Sequence, residues 1–307
     1  MEVILRRAGM HTTVQDLGRP GYRAEGVPLG GAMDRYALRV ANLLVGNDED
    51  TPALEFTLLG PELEFSHEAL VAVTGGDFGG LPLGRPVLVA AGQRVSFHSA
   101  ASGCRGYLAI AGGFTVPRVL GSASTYVRGG FGGLEGRVLA TGDVLQAPEV
   151  KRRVAGHWRV DPRLVPDYHE APVVRVVRGA EGDDYGPAFY DEPYQVLAHS
   201  DRMGFRLKGP ALSRRTDAEI RSRPVAPGTV QVPPDGQPIV LMADAQTLGG
   251  YPQVAHVITV DLPLVAQRRP GDTLTFRAVA LEDARELALA REQALAMLRH
   301  GLALKLG

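Results

Sequence analysis

Cysteine is almost absent from this chain: there is one, Cys104, in 307 residues. A single thiol excludes an internal disulfide and any zinc site built from cysteine pairs. Its setting, "SGCRGYLAIAGG", heads an apolar run and points to a buried core thiol rather than a nucleophile. Long hydrophobic runs are missing too. No segment approaches 18 apolar residues, so no membrane-spanning helix is expected. The start, "MEVILRRAGMHTTVQD", carries its charges after a short apolar stub and does not read as a secretory signal. A cytoplasmic protein is expected. Excess charge of either sign is absent, with a net charge of −1 and a pI near 6.7. That argues against a nucleic-acid partner. The one dense basic cluster, "KRRVAGHWR" from Lys151 to Arg159, reads as a solvated linker face. The phosphate-loop pattern, the H-E-x-x-H zinc motif and the G-x-S-x-G elbow do not occur, and no metal site is expected.

What the chain does have is glycine and proline, 38 and 22 of them, dispersed among Val, Leu and Ile. That composition reads as many short strands joined by tight turns. In "QRVSFHS", Val95 and Phe97 point one way while Arg94, Ser96 and His98 point the other. "TVQVPPDGQPIVLM" reads as a hairpin turning at Pro233 to Gly236. Two helices stand out. "AMDRYALRVANLLVGN" has Tyr36, Ala37, Val40, Leu43 and Leu44 at helical spacing and a stop at Gly46-Asn47. "LEDARELALAREQALAMLRHG" has Ala284, Leu287, Ala288, Ala294, Leu295 and Leu298 on one stripe, with a stop expected at Gly301. This tail helix is expected to pack back on the chain rather than meet another protein.

An internal echo gives the organisation. "VAVTGGDF" and "VLVAAGQRVSF" in the first half correspond to "IVLMADAQTLGGYP" and "LVAQRRPGDTLTF" in the second. Each half reads as strand, Gly-Gly turn, strand, Gly turn, strand. Regular turns without strand–helix alternation favour closed or nearly closed barrels over a nucleotide-binding parallel sheet. The expected domains are residues 1–160 and 161–280, both β, followed by a helix over 281–307.

Three stretches carry candidate chemistry. "GGFGGLEG", Gly129 to Gly136, lies beside Thr125, Tyr126 and Arg128 and reads either as a site-lining loop or as a turn. "HSDRMGFRLKG" concentrates Asp201, Arg202 and Arg206, either a solvated strand or a guanidinium site for a carboxylate. In "DAQTLGGYP", Asp244 and Gln246 share a face if extended, and Tyr251 follows Gly249 and Gly250. Composition alone favours a turn there.

A series of longer motifs resembles one family. "TVQDLGRPGYRAEGVPLGGAMDRYALRVANLLVGN", "ALEFTLLGPELEF", "TGGDF", "YLAIAGGF", "GSASTYVRGGFGGLEGR", "SDRMGFRLKG", "TVQVPPDGQPIVLMADAQTLGGYP" and "DLPLVAQRRPGD" occur in the order seen in the allophanate hydrolase subunit 2 family. That family includes the C subunits of 5-oxoprolinases, the KipI-antagonist proteins and the carboxyltransferase region of urea carboxylases. The likeness runs from Thr13 to about Phe276; no motif of the tail helix matches. The resemblance implies a mainly β fold of two tandem cyclophilin-like β-barrel domains with a few short helices and a C-terminal helix. It implies an ATP-dependent opening of 5-oxo-L-proline to L-glutamate, with or without Mg. The implied partners are the other two chains of a 5-oxoprolinase, its B-type (KipI-like) and A-type (LamB/YcsF-like) proteins. Two alternatives stand beside it: a carboxyltransferase using biotin carried on another chain, since the carrier's Met-Lys-Met signature is absent here, and a non-catalytic module that captures a kinase inhibitor. The implied catalytic group is Asp201, Arg202, Asp244, Gln246 and Tyr251. Arg128, Thr125, Arg206, Gly249, Gly250 and Gln15 are the expected substrate or phosphate contacts.

Overall fold

The computed structural model of the protein describes residues 1–150, 158–169, 171–216 and 220–306. Lys151 to His157, most of the basic cluster, lie outside the described residues. The chain forms two compact units. The first comprises Met1–Arg19, Gly30–Pro166 and Gln293–Gly307; the second comprises Pro20–Leu29 and Asp167–Glu292.

The first unit carries β1 (Glu2–Arg7), β2 (His11–Gln15), α1 (Arg35–Leu44), β3 (Ala53–Thr57), β4 (Glu62–Phe65), β5 (Ala69–Asp77), β6 (Pro86–Val89), β7 (Arg94–Ser96), β8 (Ser102–Ile110) and β9 (Val144–Gln146). The strands divide into a four-stranded sheet, β7-β4-β1-β9, and a five-stranded sheet, β2-β3-β8-β5-β6. One core fills the space between them, with Leu5, Leu63, Phe65 and Phe97 meeting Phe56, Val71, Val73 and Leu108. The other face of the five-stranded sheet presents Leu70, Ala72, Tyr107 and Ala109 to Ala37, Leu44 and Val40 of α1. β8 is therefore buried along its whole length and β5 along all but its last residue. This explains why "ALVAV" and "YLAI" lack the alternation of a half-wet strand. A middle layer covered on both faces takes the place of a closed barrel wall here.

Helix α1 ends at Leu44, just ahead of the stop that the sequence indicates at Gly46-Asn47. Asp34 caps its start by accepting the Ala37 N–H at 2.9 Å. A buried network fixes that start on the sheet. Tyr107 O–H donates to Glu55 at 2.8 Å, Met33 N–H donates to the same carboxylate at 2.8 Å, and Asp34 N–H donates to the Tyr107 oxygen at 2.8 Å. Burial, then the Glu55 and Asp34 charges, push the Tyr107 phenol well above its ordinary pKa, so it stays a donor.

The second unit carries β10 (Val173–Arg178), α2 (Ala188–Asp191), β11 (Tyr194–Val196), β12 (Gly204–Lys208), β13 (Arg223–Pro224), β14 (Thr229–Gln231), β15 (Ile239–Leu241), β16 (Leu248–Gly249), β17 (Gln253–Val257), α3 (Leu262–Ala266) and β18 (Thr273–Ala278). Seven of these strands close a barrel in the order β10-β17-β14-β15-β12-β11-β18. A parallel pairing of β10 with β18 shuts it, Val173 against Thr275. Phe189 of α2 stacks on Phe276 at 4.5 Å between ring centroids. The expected hairpin is β14–β15, with Gly236 in the left-handed region at φ 74°. β13 and β16 form a separate two-stranded ribbon.

Two expectations fail. The halves do not share a Gly-Gly corner. Gly75 and Gly76 lie inside β5, at a register shift against β8, where a Cβ on Gly76 would stand 2.6 Å from the Ser102 carbonyl oxygen. They serve a bulge. The tail helix α4 (Leu281–Leu306) runs through Gly301 instead of stopping there. Interior glycine costs about 1 kcal/mol against alanine, which the buried Leu295 and Leu302 on either side outweigh. The expected stripe is the helix's sheltered side: Leu295 is buried, and Ala284, Leu287, Ala288, Ala294 and Leu298 are half-buried. Leu295 and Leu302 pack with the α1 cluster, so the helix does pack back. Among the described residues, no helix is long and apolar enough to cross a membrane.

Candidate functional site

The first unit holds Gln15, Thr125 and Arg128. Gln15 and Thr125 are fully buried. Gln15 donates to Thr13 Oγ1 at 3.0 Å and to the Thr125 carbonyl at 3.2 Å, while the Thr125 hydroxyl donates to the Val14 carbonyl at 2.9 Å. The Gly-rich loop lies against the segment around Thr125: a Cβ on Gly133 would overlap Thr125 Oγ1. Close packing accounts for that glycine, and Arg128 is left exposed on the short turn Val127–Gly129. Next to Gln15, buried Asp16 accepts from Gly18 N (2.8 Å), Ala123 N (2.6 Å), Ser122 Oγ (2.6 Å) and Ser124 Oγ (2.5 Å). This is a brace that ties the end of β2 to the 122–124 loop rather than an open site.

The second unit holds the other candidates, and it brings Arg202 and Asp244 together. Arg202 Nε donates to Asp244 Oδ2 at 2.8 Å and a terminal nitrogen donates to Oδ1 at 3.2 Å. Both side chains are about nine-tenths buried. The planar fork meets its carboxylate inside the chain, not on a ligand. The backbone repeats the contact, since Asp244 N–H donates to the Arg202 carbonyl at 2.9 Å. Asp201 is exposed, and its Oδ1 accepts the N–H groups of Met203 and Gly204 at 2.8 and 3.2 Å, closing the turn before β12. Arg206 points to solvent from β12, and Ser200 Oγ accepts its N–H at 3.0 Å.

The segment from Asp244 to Pro252 is held at intervals. The Thr247 carbonyl accepts the Val225 N–H at 3.0 Å, and Gly249 pairs with Arg223 in the β13–β16 ribbon. Neither Gly249 nor Gly250 has a left-handed backbone. A Cβ on Gly249 would stand 2.6 Å from Nε2 of Gln231, so glycine there makes room for a buried amide. Gln246, Leu248 and Tyr251 remain exposed along the same segment.

Beneath that segment lies a polar cluster that the sequence motifs do not announce. Glu181 pairs with Arg223 and also accepts the Gln253 N–H at 2.8 Å. His256, half-buried on β17, faces Thr229 on β14, with Nδ1 3.3 Å from Thr229 Oγ1. That oxygen also accepts the Ala226 N–H at 3.2 Å, and its contact with Nδ1 can run in either direction, set by the imidazole tautomer. Burial, then the Arg223 cation, lower the His256 pKa, against an opposing pull from Glu181. The ring is neutral at neutral pH. Gln231 donates to the Tyr251 carbonyl at 3.4 Å, and Nε2 of buried Gln253 has no hydrogen-bond partner. The available signal was polar residues inside apolar strands, Gln231 in "TVQV" and His256 in "VAHVI".

This arrangement combines a neutral imidazole, one carboxylate-balanced cation and several amide donors. It suits a small polar ligand and a proton transfer near neutrality better than a highly charged one.

Known proteins resemble the whole of this architecture. The C subunit of 5-oxoprolinase from Escherichia coli (strain K12) is 44% identical over 294 residues, covering 91% of this chain and 91% of that protein. Its namesake from Haemophilus influenzae is 40% identical, covering 90% of each. The crystal structure of the Kluyveromyces lactis urea carboxylase superposes with a TM-score of 0.89 at 31% identity, covering 98% of this chain. This chain spans only 29% of that carboxylase's length. Residues 25–278 match the family model described as carboxyltransferase domain, subdomain A and B. Matched over most of its length in sequence and in fold, the chain belongs to the carboxyltransferase domain family, subdomains A and B.

Proposed function

We propose that the protein is the C subunit of an ATP-dependent 5-oxoprolinase, opening 5-oxo-L-proline to L-glutamate together with B-type and A-type partner proteins. The observation that carries this reading is the near end-to-end match to two proteins named as such subunits, 91% of one and 90% of the other. A lactam is a poor electrophile, and ATP is the co-substrate that activates it. The terminal phosphoryl passes to the lactam oxygen and ADP leaves. One water adds at that carbon, the C–N bond breaks to free the amine, and a second water releases phosphate from the resulting acyl phosphate. The half-buried neutral His256 takes a proton from the attacking water or returns it to the departing nitrogen. Arg223 offers the nearby cation, while Gln246 and Tyr251 offer neutral hydrogen bonds from the overlying segment. Arg128, exposed on its turn, is the proposed phosphate contact in the assembled enzyme.

The test mixes this chain with its partner proteins, ATP and 5-oxo-L-proline and measures glutamate. Release that needs all chains, and falls at least about 100-fold in His256→Ala, is expected. No release in the full mixture sinks the reading. The fold match to a urea carboxylase supports one alternative, a transfer chemistry that uses biotin on another chain. Loss of turnover on adding avidin would favour it.

A further inference from the structure

Helix α4 carries large apolar side chains on two opposite sides. Its sheltered side buries Leu295 and Leu302. On the far side Leu289 is 60% exposed and Met297 75% exposed, with Ala290 and Ala296 beside them. Leu289 and Met297 are large apolar side chains left in water on an otherwise polar face, which suits a covering contact. The family model ends at residue 278, before α4 begins at Leu281, whereas the superposition on the urea carboxylase covers 98% of this chain, so α4 belongs to the shared fold and its outer face is what needs a partner.

At about 100° per residue, Glu282, Glu286, Leu289, Gln293, Met297 and His300 fall on one side of the helix. All six are exposed. Their order is self-complementary. The two carboxylates stand at the N-terminal end, the imidazole at the C-terminal end, and the two large apolar residues flank Gln293 at equal spacing. An antiparallel copy turned about Gln293 sets Leu289 against Met297, Ala290 against Ala296 and Glu286 against His300. It also opposes the two helix dipoles. A parallel pair would place Glu282 and Glu286 on their own copies, which is repulsive.

We propose that this face binds a second copy of the same chain, through an antiparallel two-fold α4–α4 pair centred on Gln293. The contact is isologous, so it closes as a dimer. One helix pair is smaller than the standard interface of about 1,600 Å². The dimer is therefore weak and depends on concentration.

Sedimentation velocity over a concentration series of the full chain tests this. A reversible dimer is expected, with the apparent Kd raised at least about tenfold by Met297→Glu and by Leu289→Glu. Both positions are exposed, so circular dichroism should stay unchanged. Orientation is read by Gln293→Cys, which should link covalently under mild oxidation; the native Cys104 is buried. Asp283→Cys should not link, because its two copies would lie about 30 Å apart along the pair. A chain that stays monomeric overturns the proposal. So does a dimer indifferent to both glutamates, or a disulfide at Asp283→Cys without one at Gln293→Cys. Loss of assembly confined to mixtures with the partner proteins would assign the face to a different protein and equally overturn it.

Discussion

Two polar clusters in this molecule use similar residue types to opposite ends. Around Asp16 in the first unit, a buried carboxylate receives four donors, two from hydroxyls and two from backbone N–H groups. Around His256 in the second unit, the ring is half-buried, the nearest cation is a third exposed, and the buried Gln253 amide is left with an unpaired donor. A saturated cluster has nothing left to offer a ligand and acts as a rigid tie. An unsaturated one at a partly open surface keeps donors and a titrating group available. The two clusters differ in how far their hydrogen bonds are saturated more than in the residue types that build them.

The largest effect should come from breaking the saturated side. Asp16→Ala strands buried hydroxyls and backbone N–H groups, each costing about 1–3 kcal/mol when left unpaired. A loss of roughly 4 kcal/mol in urea unfolding is expected, with Asp16→Asn losing less because one acceptor survives. A change below about 1 kcal/mol would show that the four contacts do not act as a tie. Next comes the pair that belongs to neither extreme. Arg202→Ala leaves the Asp244 carboxylate buried without its cation, at a cost of about 3 kcal/mol. Adding Asp244→Asn to that variant should restore part of the loss, since it removes the uncompensated charge. Equal stability of the single and double variants would mean that the two charges are not coupled.

Much of the fold was legible because period and punctuation encode it locally. The α1 stop ahead of Gly46-Asn47, the hairpin turning at Gly236 and the sheltered stripe of α4 all follow from residue spacing. The Gly75–Gly76 bulge was not legible, because a glycine demanded by a neighbouring strand looks the same as one demanded by a turn. The site divided along the same line. Arg202 and Asp244 were readable as chemistry-bearing residues, yet their commitment to each other depends on loops 42 residues apart meeting in space. Glu181 and His256 lie 75 positions apart, and only the pairing of β10 with β17 brings them into one cluster. No sequence window contains that information.

The finest test acts on the open cluster through charge alone. Glu181 raises the His256 pKa while burial and Arg223 lower it. Glu181→Gln removes the opposing pull and leaves the cation, so the imidazole pKa should fall further. The measurement is a titration of the His256 ring proton by NMR. Stability should change by less than about 1 kcal/mol, because the Arg223 partner is partly solvated. The sign of the accompanying pH effect is fixed. A histidine whose native pKa is depressed binds fewer protons folded than unfolded. Its stabilising contribution is complete above the ordinary value of 6.5 and is lost as pH falls from there to the lower native pKa. In Glu181→Gln that window should extend to lower pH. An unmoved His256 titration would mean that Glu181 and Arg223 do not act on the ring, and the cluster would then be three neighbours rather than one electrostatic unit.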